Sequence, residues 1–426
     1  MLGFSRKLVI SLLLITLIGY SLLVACGGDS NNGGNGGSPT PPLPNGIETP
    51  PLTEITIGNL SDYTGVSSNA MEYINMALDD LVEYYNENNL IPGVRLKVIT
   101  YDGQMDPSRD IPGYEWLKQK GADLIFTPIP ATPTTLKPRA DRDEVVVFGL
   151  SGSKKGFLPP GWVFDLGIYS QYEAYTLLKW IAENDWDYQT KGPAKIGGAA
   201  WSESYSDELF TAMKEYCSVH PDQFEWEGGY LTNFSLIWAA EVDALKDCDY
   251  VNPGIVLTSF VKEYRAAGHT EAKFIGSDTQ AAFLGMMDAS ELWDEIDGML
   301  FLKTPRWWHE EGEIIDLVMQ LLYENHPDDA EKIIRSGNGY LAMNQMYPMF
   351  QIIADAAEAV GPQNLDSQAL YDAATSLLLM IDGTQRFSFS EEKRDAIDAF
   401  AIYEARATEK DIFRLHDEWY PTVRNP

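Results

Sequence analysis

The chain has 426 residues, 45% of them hydrophobic and 12% aromatic, enough for two ordinary domains with packed cores. Its 63 acidic residues outnumber 31 basic ones, a formal net charge of −32, so repulsion excludes nucleic acid as a partner. The three cysteines and five histidines form no cluster at metal-ligand spacing, and no Gly-rich loop is built to cradle phosphate, so no metal and no cofactor is expected.

In chain order, Arg6 and Lys7 precede the apolar run Leu8–Val24, which ends at Ala25 and Cys26. Basic, apolar, small is the layout of a secretory signal. As a helix the run would rise about 25 Å, short of the roughly 30 Å hydrocarbon core, so a cleaved signal over 1–25 is preferred to an uncleaved anchor. The stretch Leu23-Val24-Ala25-Cys26 resembles the bacterial lipobox, whose cysteine becomes the lipidated first residue of the mature chain. That resemblance implies an exported protein at the cell surface or in the periplasm, anchored to the membrane by lipidated Cys26. The alternative is an ordinary signal peptide with an incidental cysteine. Residues 26–53 hold seven Gly and six Pro without apolar periodicity, which reads as a disordered tether.

The body alternates short β-branched runs with helical patterns. Strands are expected at 53–60, 94–102, 122–129, 144–151, 194–201, 254–261, 272–278 and 298–305. Between them Ile74, Leu78, Leu81 and Tyr85, then Leu209, Met213 and Cys217, then Ile314, Val318 and Leu321 fall at helix spacing. This is the pattern of βαβ units, and it predicts an α/β protein of two doubly wound parallel-sheet lobes. Cys217 and Cys248 can form one disulfide in an oxidising exterior or stay as two separate buried thiols.

Parallel sheets bind ligands beyond the carboxyl ends of their strands. The turns there carry Asp62 and Tyr63, Thr132, Ser151 and Ser153, Tyr205, Phe260, and Asp278. Hydroxyls and amides suit a carboxylate, an acid suits an ammonium, and aromatics wall in an apolar body. Asp278 has two readings: partner of a ligand ammonium, or N-cap of the helix that follows. Trp307 and Trp308 either shelve over a ligand or pack between lobes.

The same turns, "NLSDYTG", "YDGQMDPSRD", "ADLIFTPIPATPT", "GLSGS", "AAWSESYSDEL" and "FIGSDTQ", resemble in order and spacing those of the branched-chain amino-acid type of periplasmic binding protein, over roughly 54–390. The resemblance implies the type I fold, two lobes joined by a three-crossover hinge near 166–170, 298–304 and 384–387. Lobe one would be 54–167 plus 303–384, and lobe two 168–302 plus 385–426. It also implies a monomeric substrate-binding protein that closes on a small molecule, an amino acid or related carboxylate or amide, and delivers it to the permease of an ABC importer. The sequence departs from the family pattern at Thr127-Pro128, Ala131, Tyr205-Ser206 and Phe260, which bears on ligand specificity. The alternatives are a ligand-sensing module on the same fold and a secreted hydrolase. "GLSGS" lacks nucleophile-elbow spacing and "HEEG" is not a zinc motif, so no catalytic residue is expected.

Overall fold

The computed structural model describes residues 52–254 and 257–426. The signal segment, Cys26 and nearly all of the tether lie outside the described residues. Two parallel sheets organise what is described. The first contains β1 (Thr53–Ser61), β2 (Val94–Asp102), β3 (Leu124–Thr127), β4 (Val147–Gly149) and β5 (Val163–Asp165) in the order β2-β1-β3-β4-β5. Its crossover helices are α1 (Ser68–Glu87), α2 (Pro107–Gln119) and α3 (Thr132–Asp143). The apolar stripe read from the sequence is the buried face of α1, with Ile74, Leu78, Leu81 and Tyr85 against the core.

The second sheet follows α4 (Ser170–Asn184) and the short α5 (Tyr188–Lys191). Its strands are β6 (Ala194–Trp201), β7 (Phe224–Thr232), β8 (Tyr250–Asn252), β9 (Lys273–Ser277) and β10 (Leu300–Lys303). They alternate with α6 (Ser204–Val219), α7 (Ala239–Ala244), α8 (Leu257–Ala266), α9 (Asp278–Ala281) and α10 (Leu284–Ala289). The chain then returns to the first sheet's helical layer with α11 (Glu313–Asn325), α12 (Ala330–Ser336), α13 (Met343–Val360) and α14 (Ser367–Thr375). A small hairpin, β11 (Leu378–Ile381) and β12 (Thr384–Ser388), precedes β13 (Ala399–Arg406), β14 (Asp411–Arg414) and β15 (Tyr420–Pro421). The second sheet runs β14-β13-β10-β9-β8-β6-β7, parallel from β10 to β7 and antiparallel at its β13 edge, with β15 also on β13. The α/β fold with doubly wound parallel sheets is as the sequence predicts.

Two expectations are corrected. The segment 254–261 is not a strand: the sheet uses Tyr250–Asn252 instead, and α8 begins at Leu257. Leu257, Phe260, Val261 and Tyr264 repeat at helical spacing and are all buried, so helix periodicity outweighs the β-branched composition of the segment. Nor do Cys217 and Cys248 form a disulfide; both are free and buried. The reason lies in β6. A side chain at Gly197 would meet Leu245 and Cys248, while one at Gly198 would meet Phe210 of α6. Adjacent strand residues face opposite sides of a sheet, so α6, which carries Cys217, covers one face and Cys248 sits on the other. A disulfide needs its α-carbons within about 7 Å, which a sheet between them forbids. Burial pushes both thiols up to about 12, so they are inert. In a Cys26→Ser protein unfolded without reductant, thiol labelling is expected to count two reactive cysteines; a count of zero would mean that the bridge exists.

Candidate functional site

A cavity lies where the carboxyl ends of the two sheets face each other. Every strand of the first sheet sends a following turn to its wall: Ser67 beyond β1, Met105 beyond β2, Pro128–Pro130 beyond β3, Leu150 and Ser151 beyond β4, and Ile168 beyond β5. From α1 come Ala70, Met71 and Ile74. The opposite wall is the turn and helix beyond β9, with Asp278, Thr279, Ala282 and Phe283, and the floor adds Glu173 of α4 and Asn338, Ala342 and Gln345. The enclosed space is about 90 Å³. Its lining is mainly apolar, with its acids at the α4 and α9 side, and it includes no Lys, Arg or His. An apolar chamber with a few convergent polar groups at the switch point of α/β sheets is the standard form of a small-molecule site.

Two polar groupings frame the acidic side. In the first, the Lys303 ammonium, wholly buried, donates to Asp278 Oδ1 at 2.8 Å and to Asn338 Oδ1 at 2.6 Å. The other oxygen of Asp278 accepts from the Thr304 amide at 2.8 Å and its hydroxyl at 2.6 Å. Burial pulls the Lys303 ammonium below its usual range, and the adjacent Asp278 charge acts against that pull. In the second grouping, the buried Tyr205 hydroxyl donates to Glu173 Oε2 and itself accepts from Thr279 Oγ1 at 3.2 Å. Ser277 Oγ lies 3.2 Å from the same hydroxyl. Glu173 has no cationic partner; burial, with the Asp278 charge adding to it, pushes its carboxyl up to about 8.

The two sides of the cavity touch. The Asn338 amide donates to the Ala281 carbonyl at 3.1 Å. The Lys154 amide, beyond β4, donates to Glu208 of α6. At Gly285 a β-carbon would lie 2.7 Å from Ser336 Cα, so α10 and the end of α12 meet backbone to backbone.

Of the residues singled out from the sequence, the structure brings Ser151 and Asp278 to the cavity, with Tyr205 one hydrogen bond behind its wall. Asp278 begins α9, but the N-cap is Ser277, which forms a capping box with Gln280. Asp62 is fully buried and braces the turn into α1, accepting from the Gly65 and Ser67 amides and the Ser67 hydroxyl. Tyr63 lies on an outer groove, its hydroxyl near Thr100. Thr132 is buried and donates to Asp110 at 3.2 Å, and Ser153 pairs with Thr134. Phe260, expected beyond a strand, sits instead on α8 within a cluster of Trp238, Tyr264 and Phe274. Trp307 and Trp308 are buried and bonded through their indole nitrogens to Asp411 and to the Gly337 carbonyl, outside the cavity lining. Sequence reasoning missed Glu173, Thr279, Asn338 and Gln345. Glu173 had a visible signal: an acid at a face of α4 that is otherwise Tyr, Ala, Thr and Leu, directly after the first crossover.

Among the described residues no helix is long and apolar enough to cross a membrane, and no group of His, Cys, Asp and Glu could hold a metal ion. A family model described as "Periplasmic binding protein" matches residues 54–410. The chain belongs to the periplasmic binding protein family. No curated protein matches it in sequence. Among solved structures it is similar to a branched-chain amino acid ABC transporter protein from Thermus thermophilus with bound valine, at TM-score 0.72 and 15% identity over 88% of this chain and 98% of that one. It is similar to a fatty acid ABC transporter substrate-binding protein from Thermomonospora curvata, at TM-score 0.70 and 15% identity over 89% and 98% of the two chains. An R. palustris solute-binding protein in complex with benzoate aligns at TM-score 0.69 and 14% identity over 87% and 98%. These neighbours share the type I fold, α/β with parallel sheets in two lobes.

In this periplasmic binding protein the Lys303–Asp278 pair is buried at the cavity's edge. Removing one partner of a buried pair leaves the other charge uncompensated and typically costs about 3–5 kcal/mol. Lys303→Ala is expected to lose that much in urea unfolding, and Lys303→Met with Asp278→Leu to recover part of it. A loss under about 1 kcal/mol in the single variant would show that the pair is solvated.

Proposed function

We propose that this chain is the exported, lipid-anchored binding component of an ABC importer, and that it captures a small molecule with a mainly apolar body and one polar end, of the amino-acid, carboxylate or amide type. One observation carries the reading: the mainly apolar chamber between the carboxyl ends of the two sheets, with its acids, Glu173 and Asp278, at the α4 and α9 side. The bound valine and benzoate named for two of the solved neighbours are carboxylates with an apolar body. The lobes are 54–167 plus 303–384 and 168–302 plus 385–426, and the protein works as a monomer, without catalysis. A ligand held by both lobes favours the closed state only by its differential contacts.

Anchoring is carried by Cys26. A Cys26→Ser variant is expected to leave the membrane fraction; retention there would mean that Leu8–Val24 stays in the bilayer uncleaved.

Closure depends on Gly285, where any side chain would strike Ser336 and Arg335 backbone. Native mass spectrometry of protein purified without refolding is expected to find a carried small molecule. Gly285→Val is expected to lose it and to show a larger radius of gyration by small-angle scattering at unchanged helix content. A Gly285→Val protein as compact and as loaded as wild type would refute cleft closure as the binding step.

A further inference from the structure

The two acids at the cavity are not equivalent. Asp278 is fully engaged by Lys303 and Thr304, so its charge is already answered inside the protein. Glu173 is only 6% exposed, and its partners are hydroxyls. The groups that act on it are the Tyr205 hydroxyl from α6, the Ser277 hydroxyl at the end of β9, Asp278 from α9 and Asp165 from β5, and the cation near Asp278, Lys303, is spent on Asp278. Ionising Glu173 would therefore put a second, uncompensated carboxylate beside the first in an apolar chamber.

From this geometry we propose that Glu173 acts as a neutral carboxylic acid that donates a hydrogen bond to a carbonyl or carboxylate oxygen at the polar end of the ligand, and that the cleft discriminates against a ligand whose polar end is an ammonium with no such oxygen beside it. Tyr205 engages Oε2, so the oxygen available to a ligand is Oε1. Ser151 and Gln345, also in the lining, add a hydroxyl and an amide donor to the cavity. An ammonium would instead require Glu173 to lose its proton before binding. The upward displacement of the Glu173 carboxyl to about 8 agrees with the neutral form at neutral pH.

This inference rests on the cavity being the ligand site, and the test separates the two claims. The probes are isovalerate, isovaleramide and isoamylamine, similar in apolar body and different at the polar end, titrated calorimetrically into ligand-stripped wild-type protein. The acid and the amide are expected to bind and the amine to bind at least about tenfold more weakly. Binding of the first two should be flat below about pH 7 and fall about tenfold by about pH 9, as Glu173 ionises. Glu173→Gln keeps an N–H donor; it should bind within about threefold of wild type at about pH 7 and lose the fall at higher pH. Amine binding at about pH 7 within about threefold of that of the acid and the amide would overturn the proposal. So would the absence, in infrared difference spectra of wild type against Glu173→Gln, of a protonated carboxyl band at about pH 7. If that band is present and none of the three probes shifts it, the small-ligand reading of the cavity falls, and this proposal with it.

Discussion

A buried ammonium sets the terms at the centre of this molecule. Lys303 ends β10, the last parallel strand of the second sheet, with no solvent exposure. An ion in that position is tolerated only when its charge and its donors are met by the protein. Asp278 from α9 meets the charge, and Asn338, from the helical layer of the first sheet, takes another donor. The ring of Trp307 lies 4.8 Å away and adds a cation–π face. One side chain thus joins the carboxyl end of β10, the turn beyond β9 and the segment that follows α12.

That pairing decides the chemistry of the cavity. Because Asp278 is spent on Lys303, the acid left facing the chamber without a cation is Glu173. A site that looks doubly acidic by composition has one of its two acids already paired with a buried cation. The apolar wall from α1 and the β3, β4 and β5 turns then contributes most of the contact area a ligand would bury.

The connections between sheets are held by arginines that read backbone. Arg394, buried, donates to the Gly161 carbonyl at 3.0 Å and to the Tyr371 hydroxyl at 2.8 Å, and its own carbonyl accepts from Asp165. Arg386 lies over Trp419 at 3.2 Å and donates to the Thr304 carbonyl. A guanidinium's planar fork satisfies several carbonyls at once, which suits segments that have left regular sheet pairing. Arg394 lies beside the crossover that follows β5, and Arg386 beside the one that follows β10, so the strands leave their sheets with their carbonyls paired.

The sequence by itself determined the alternation of strand and helix, and with it the doubly wound class and the sheet edge at which the proposed site lies. Those follow from local periodicity, as in Ile74, Leu78 and Leu81 of α1, and from the general rule that parallel sheets bind at their carboxyl ends. The order of the turns was enough to carry a family resemblance. What a side chain does at that edge depends on partners far away in the chain, and only the tertiary structure decided it. Asp62 and Thr132 read as ligand contacts from their turns, yet each is occupied by groups of its own lobe. Phe260 moved into the core because α8 begins where a strand was expected. Cys217 and Cys248 are kept apart by a sheet whose faces no spacing in the sequence reveals. Glu173 lies 105 residues before Asp278, and Lys303 lies 25 beyond it. Which acid is neutralised and which is left open is a question of contact across those separations, and local pattern holds no information about it.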